Sequence, residues 1–244
     1  MSFLEEEGNI KANLDGRISS LLKSMDEAGI EKSVVCSIAT KPDQFPSILK
    51  WSKDILSDRL VPFPSVHPED TKAAERVRVV HAEGLKGIKL HPYYQRFDMD
   101  EERIFPIYEA MEESGLIFVC HTGFDLAYPR DRKCDPVKIC KILARFPQLK
   151  LVTTHLGAWE DWDEVRKHLW GKSVYMELSF SLSYLGAKAA REFLLGHPKE
   201  YLLFGTDSPW AGQQESIREF LSLKLGAELE SWILFRNAER LLTA

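Results

Sequence analysis

The sequence predicts an α/β fold, a TIM (β/α)₈-type barrel, formed by a single domain over residues 1–244. Seven short apolar runs recur along the chain, with helical patterns between them. The runs are almost wholly apolar rather than alternating, which is typical of parallel strands that are covered on both faces. No glycine-rich phosphate turn follows any run, so the pattern favours a barrel over an open nucleotide-binding sheet.

The strands and the first helix can be placed from these patterns. Helical spacing is clearest near the amino end, where apolar side chains fall at i, i+3, i+4 and i+7 and form one stripe, namely Ile18, Leu21, Leu22 and Met25. The seven strand runs are KSVVCSIAT, LVPFPSVHP, LKGIKLHP, LIFVCHTG, LKLVTTHLG, VYMELSFS and LLFGTDSPW.

The helix boundaries carry their own signals. Gly29 follows the first apolar stripe and predicts a helix stop. The segments EAGIEKSVV, AEGLKGIKL and ESGLIFVC each place a glycine between a helix and the next strand, so the βα unit repeats. Asp135 before Pro136 predicts a capped helix start.

Composition limits the class of partner. The 244 residues are 44% apolar and 28% charged, with a net charge of −5 and both signs mixed, so no basic surface indicates nucleic acid. No apolar run approaches the roughly 18 residues of a spanning helix. The acidic start MSFLEEEGN does not resemble a signal peptide. We therefore expect a cytoplasmic protein that acts on a small molecule, without nucleic acid or membrane partners, and whose four cysteines are buried or free thiols.

Polar residues end one strand run after another. In a barrel of this type the reactive groups lie at the carboxyl ends of the strands. Asp207 ends an apolar run, and an ionised carboxylate buried there is costly unless a metal or another cation compensates it. The residues at these positions are His67, His91, His121, His155, Ser179 and Asp207.

These residue types suit a catalytic metal, which takes histidine nitrogens and a carboxylate oxygen and keeps a coordination position open. Any one histidine, taken alone, is explained equally well as a cap that hydrogen-bonds its own loop. For His121, His155 and Asp207 together, convergence on a metal is the better explanation. His67, which precedes Pro68, is expected to be structural.

Further residues on the same face are candidates for binding a substrate. Lys89 and His91 are two residues apart, so on a strand both side chains point the same way, and an inward lysine is not core filler. The loop over residues 124–135 is long enough to act as a lid, and Arg130 or Arg132 can hold a carboxylate, although surface exposure explains both arginines equally well. Trp210 follows the last strand on the same face.

Five motifs give the chain a family resemblance: GIKLHPYYQ, VCHTG, TTHLGA, GTDSPW and the terminal NAERLL. With these, nearly the whole chain resembles the amidohydrolase superfamily, in particular the amidohydrolase-2 group of metal-dependent TIM-barrel hydrolases and decarboxylases. The resemblance implies that His121 is a metal ligand and that His155 is a ligand or a catalytic polariser. It implies that Asp207 is both a ligand and the proton acceptor that activates metal-bound water, with a divalent ion, usually zinc, beside it.

The resemblance also implies a first strand that carries His-x-His, and this chain is expected to lack it. Seven runs stand where eight close a barrel, and Met1 falls in what corresponds to the loop after that strand. We expect the coding sequence to continue upstream of Met1 with this strand. Without it, KSVVCSIAT and LLFGTDSPW would expose apolar edges, and homo-oligomers would form through them.

The function predicted on these grounds is a metal-dependent hydrolase of a small carbonyl compound. The alternative within the family is a non-oxidative decarboxylase that uses the same residues on a carboxylic acid. A rival of another class is a metal-free barrel that binds a ligand without catalysis. Metal content separates the last from the first two, and product analysis separates hydrolysis from loss of carbon dioxide.

Overall fold

The computed structural model describes residue 8 and residues 10–243, in which strands and helices alternate. The strands are β1 Ser33–Cys36, β2 Leu60–Phe63, β3 Gly87–Leu90, β4 Ile117–Cys120, β5 Lys150–Thr153, β6 Tyr175–Glu177 and β7 Leu202–Leu203. The helices are α1 Ile18–Ala28, α2 Phe45–Ile55, α3 Ala73–Ala82, α4 Phe105–Glu113, α5 Pro136–Arg145, α6 Trp162–His168, α7 Leu182–Leu185, α8 Ala187–Gly196, α9 Gln213–Ser222, α10 Ala227–Ser231 and α11 Asn237–Thr243, and a π-helix spans Trp232–Arg236 between the last two. Over this described part of the chain, no helix is long and apolar enough to cross a bilayer.

All strand pairs are parallel, as predicted, and each of the seven predicted runs contains a strand. β1 pairs with β2, and β3 to β7 form a second sheet in chain order. The Lys89 N–H donates to the Pro64 carbonyl at 2.9 Å and links the two sheets where β2 ends. Within the described residues β1 and β7 are not paired with each other. Among the described residues, the architecture is that of a TIM-type barrel with an open side where β1 and β7 are not paired.

Alternate residues of each strand face opposite layers, as strand geometry requires. Side chains such as Ile88, Phe118 and Met176 pack outward in the main hydrophobic core, under the helices. Register then fixes what faces inward, because paired residues of parallel strands point to the same side. Lys89 is paired with Val119 and therefore faces the lumen, the space enclosed by the strands.

The lower end of the lumen is closed by apolar side chains. Phe63, Ile117, Val152 and Leu203 come from four strands, and Leu241 of α11 packs among them. On the open side the cover is incomplete, since Val34 is 41% exposed. The floor is therefore packed with apolar side chains, and the wall is partly open to water at β1.

The structure confirms the predicted helix stop at Gly29 and the predicted helix start at Asp135. Gly29 ends α1 with a left-handed φ of 70°. The Asp135 side chain accepts hydrogen bonds from the N–H groups of Val137 and Lys138 and caps α5. The end of α1 and the start of α5 are therefore fixed by local conformation and local hydrogen bonds, which need no tertiary contact.

The loop after β4 crosses the loop after β5 at Gly123. Its φ is +89°, and a Cβ built there would lie 2.0 Å from the Trp159 nitrogen and 2.5 Å from the carbonyl carbon of Ala158. Both are backbone atoms and cannot turn aside. The crossing fixes the chain directly after His121 and so helps to position that side chain.

Gly123→Ala is expected to destabilise the protein by about 3–5 kcal/mol, because it adds a backbone clash to a left-handed conformation. The matched control is Gly171→Ala, where φ is +78° but no atom lies within 4 Å of the added Cβ. We expect a loss of only about 1–2 kcal/mol there. Urea unfolding measures both. Equal losses would show that the crossing is loose enough to accommodate a methyl group.

Candidate metal centre

His121 follows β4 and is placed by its backbone, since its N–H donates to the Leu90 carbonyl at 3.1 Å. The side chain is buried, with 8% of the residue exposed. Its Nε2 lies 3.1 Å from the Phe124 carbonyl oxygen. Its Nδ1 lies 3.3 Å from Nε2 of His155.

His155 reaches the same point from the end of β5. Its backbone has a left-handed φ of 57°, which turns the chain sharply after the strand. Its Nδ1 lies 3.0 Å from the Ser179 carbonyl oxygen, and the Trp162 indole N–H donates to the His155 carbonyl at 3.0 Å. His121 and His155 are thus held in contact from two adjacent strands.

The hydrogen bonds of this pair are one proton short. Three contacts lie in a row, from Ser179 O to His155, from His155 to His121, and from His121 to Phe124 O. The carbonyl oxygens at the two ends can only accept, and two neutral imidazoles carry only two N–H protons. One contact therefore brings two lone pairs together unless a third proton or a metal cation lies there.

Burial disfavours the third proton. It lowers the pKa of His121 well below the usual range, and the neighbouring His155 adds to this effect. Burial also lowers the pKa of His155. At neutral pH the rings are neutral, which is the form that binds a metal. The donor set therefore fits a divalent cation better than an extra proton.

His91 and Asp125 stand on the other side of His121. The rings of His91 and His121 are stacked with centroids 4.1 Å apart. Asp125 Oδ2 lies 3.5 Å from His91 Nε2 and 3.8 Å from His121 Nε2. One ligand atom from each of these three buried residues lies within 4.8 Å of the others. The Nδ1 of His91 is buried without a hydrogen-bond partner.

Asp207 follows β7 by four residues and is not part of the described cluster formed by His91, His121 and Asp125. It is exposed and adopts a left-handed φ of 53°. Burial lowers the pKa of His155, and the charge of Asp207 opposes that shift. Burial raises the pKa of Asp125, and Asp207 reinforces it. Asp207 is thus within electrostatic reach of both candidate ligands.

Glu177 and Ser179 support His155 from below. Glu177 accepts hydrogen bonds from the Ser179 N–H at 2.6 Å and from the Ser179 hydroxyl at 2.8 Å. This holds the Ser179 carbonyl where His155 Nδ1 meets it. Glu177 packs so closely on Gly205 that a Cβ there would lie 2.0 Å from its Oε1. Burial raises the pKa of Glu177 to about 7, against the lowering effect of the Ser179 bonds.

The Glu177→Gln variant is expected to gain stability over wild type when the pH is raised from 5 to 8. The raised pKa means that the folded state holds the Glu177 proton more tightly than the unfolded state does. The stability that this bound proton contributes to the folded state is complete below about pH 4.5 and is lost as the pH rises through about 7. Glutamine is neutral throughout, so the variant should gain about 1–2 kcal/mol over wild type between these two pH values.

Urea unfolding with a chelator present measures this difference without a contribution from metal binding. Glu109→Gln, on the exposed side of α4, is the control and should show no pH-dependent gain. The same behaviour in both variants would mean that Glu177 is not strained when it is ionised.

The structure places the other predicted site residues in three different settings. Lys89 is 8% exposed and faces the lumen beneath the histidines. Arg130 pairs with Glu160 and lies 4.0 Å over the Phe124 ring. Trp210 is half-buried, and its N–H donates to the Asp207 carbonyl at 2.9 Å.

Arg132 and His67 both bind other protein groups. Arg132 makes a two-pronged ion pair with Asp161 at 2.7 and 2.9 Å. His67 accepts a hydrogen bond from the Glu69 N–H at 3.1 Å and so braces its own turn, which agrees with a structural role.

Asp125 and Glu177 were not among the predicted site residues. Asp125 follows His121 by four positions in HTGFD, and a carboxylate so soon after a strand-end histidine was the available signal. Glu177 belongs to VYMELSFS, where an acidic residue in an otherwise apolar strand carried similar information. Both depend on how the chain turns after the strand.

Comparison with known proteins assigns a family to the chain. A family profile described as "Amidohydrolase" matches residues 43–243. The dihydroorotase of Helicobacter pylori strain HPAG1 is 27% identical over 175 residues, which is 65% of this chain and 51% of that protein. The chain thus spans about half the length of this curated relative.

Solved structures share the fold. An uncharacterized TIM-barrel protein from Bordetella bronchiseptica superposes with a TM-score of 0.73 at 20% identity, covering 99% of this chain and 89% of that one. A 5-carboxyvanillate decarboxylase from Novosphingobium aromaticivorans, solved with bound manganese, gives 0.70 at 14% identity, covering 92% and 80%. At these identities the likeness is one of fold.

Proposed function

The chain belongs to the amidohydrolase family, and from this premise we propose that it is a metal-dependent hydrolase of a small carbonyl compound. The observation that carries the proposal is the proton shortage in the row from Ser179 through His155 and His121 to Phe124. Buried imidazoles in such an arrangement need a cation, and metal-dependent hydrolysis supplies the reason for one.

His121 is the central ligand, because each of its nitrogens faces a different partner. His91 and Asp125 would complete a site on its Nε2 side, whereas His155 and Asp207 would complete one on its Nδ1 side. Zinc is the ion we propose, since it takes nitrogen and carboxylate ligands and leaves a position open in catalytic sites. A divalent cation bound here lowers the pKa of water and polarises a carbonyl oxygen.

The chain's own residues then have distinct tasks. Asp207, exposed on the rim and ionisable, accepts the proton from the attacking water. His155 donates its Nδ1–H to the Ser179 carbonyl, so its Nε2 lone pair is turned inward, where it would hold the cation that polarises the carbonyl oxygen. Lys89, His91, Arg130 and Trp210 remain our candidates for contact with the substrate.

Metal analysis of the purified protein is the first test. We expect bound divalent metal in near-stoichiometric amount and loss of hydrolysis on chelation, with recovery when zinc is returned. Full activity with no metal would refute the proposal, and a stable metal-free protein without turnover would favour a ligand-binding barrel. Products decide the reaction type, since carbon dioxide in place of a hydrolysed acid would identify a decarboxylase.

Location and assembly are separate parts of the proposal. We propose a cytoplasmic protein that self-associates through the open side of the barrel, where Val34 is 41% exposed. Fractionation of cells and sedimentation of the purified chain test the two points independently.

A further inference from the structure

We infer that the lumen contains an anion-binding subsite, with Lys89 as its cation and a small monocarboxylate as its ligand. The inference deepens the proposed function and rests on it, because it gives the substrate of the metal centre a carboxylate that reaches below the histidines. Four observations carry it: the burial of Lys89, its position, the charges around it and the exposure of the nearby wall.

Lys89 is buried without a counter-ion. Only 8% of the residue is exposed, and its pairing with Val119 directs the side chain into the lumen. Among residue 8 and residues 10–243, no side chain or carbonyl group forms a hydrogen bond or an ion pair with its Nζ. An ammonium group that is largely shielded from water is costly unless an anion accompanies it.

The ammonium group lies beneath the metal centre. Lys89 precedes His91 by two residues, and Val119, its register partner, precedes His121 by two, so the Lys89 side chain enters the lumen below these two rings. An anion on Lys89 would therefore place the rest of its molecule against the metal centre.

The residues around Lys89 determine which ligand charge the subsite can accommodate. Glu177 faces the lumen with Leu203, its register partner, and is not in ion-pair contact with Lys89. The floor beneath is apolar. Burial raises the pKa of Glu177 to about 7, and when Glu177 carries its proton the single ammonium group balances a monoanion but not a dianion, so a carboxylate fits better than a phosphate.

The wall of the lumen near this level is exposed at Cys36. Cys36 is paired with Phe63 and so lies on the lumen side of β1, and the residue is exposed at the surface. Desolvation raises the pKa of the Cys36 thiol to about 11, and the charge of Lys89 opposes that shift. Cys36 is therefore a reporter placed within electrostatic reach of Lys89.

The experiment measures the electrostatic potential of the lumen through Cys36. In a Cys140→Ser background, the purified protein reacts with an anionic and a cationic methanethiosulfonate reagent, and the ratio of the two rates is recorded. Cys120 and Cys134 are buried and do not interfere. Any change in thiolate fraction affects both reagents equally and cancels in the ratio.

Lys89→Met is expected to lower the anionic-to-cationic ratio about tenfold, as loss of a unit charge within electrostatic reach of the thiol implies. Lys89→Arg should keep the ratio, and Lys188→Met, exposed on α8, should leave it unchanged. Sodium acetate should lower the wild-type ratio relative to sodium chloride at equal ionic strength, and should have no effect in Lys89→Met.

Three results would overturn the inference: an unchanged ratio in Lys89→Met, an equal acetate effect in that variant, or a larger effect of phosphate than of acetate in wild type. If Lys89→Met does not fold, Lys89→Gln takes its place and the wild-type acetate titration still decides. Metal content is measured in the same samples. Normal metal without an acetate effect refutes only the subsite, whereas an acetate effect without metal refutes only the proposed catalysis.

Discussion

His121→Ala is expected to weaken metal binding at least about 100-fold and to abolish turnover, because even loss of residues that only orient metal ligands costs 10–100-fold. The side chain is the one residue shared by both possible ligand sets, on its Nε2 side with Asp125 and on its Nδ1 side with His155. No other single substitution removes both at once.

Thermal unfolding with and without added zinc measures the effect directly. A ligand that binds only the folded state stabilises it by an amount that grows with its concentration over Kd, so zinc should raise the Tm of wild type and leave that of His121→Ala unchanged. Without metal, the variant should lose less stability than a buried histidine normally would, since it also removes the contact that lacks a proton.

His67→Ala is the matched control, because His67 is a buried histidine in the segment after β2 and is 5% exposed. It braces only its own turn through Glu69, so it should lose some stability and keep the response to zinc. A zinc-dependent rise in Tm that survives in His121→Ala would place the metal elsewhere.

The strands were predictable because each apolar run is bounded by glycine or a polar strand end. Their lengths were not. The run LLFGTDSPW yields only Leu202–Leu203 as strand, because the Phe204 N–H donates to the Ile233 carbonyl of the π-helix instead of to a neighbouring strand. Strand length depends on which partner is present, and that information lies far away in the sequence.

Some residues of the candidate site were predictable from the sequence, whereas the positions of others depend on contacts between distant segments. His121 and His155 were predictable because strand ends meet at one rim of a barrel whatever the loops do. The position of Asp125 depends on the turn at Gly123, which is set by a crossing with the loop at Trp159. Arg130 was a candidate for binding the substrate. It pairs with Glu160, whose left-handed backbone conformation is not predicted by any local sequence pattern.

Asp207→Asn is expected to lower kcat by about 10²–10⁴, the usual contribution of a positioned general base, while the fold is retained. Asparagine keeps the shape of the side chain and tolerates the left-handed φ of 53°, so the change removes charge and proton-accepting capacity without backbone strain. Alanine would mix both effects.

Three measurements separate the roles of Asp207. Asp58→Asn, exposed and remote from the cluster, should leave kcat, metal content and Tm unchanged. If Asp207 acts mainly as a proton acceptor on the rim, Asp207→Asn should retain metal and lose kcat, because His91, His121 and Asp125 still surround the cation. If Asp207→Asn loses metal and activity together, the cation lies on the Nδ1 side of His121, against His155. Turnover at the wild-type rate with metal retained would remove Asp207 from the mechanism and leave its charge with a purely electrostatic effect on His155.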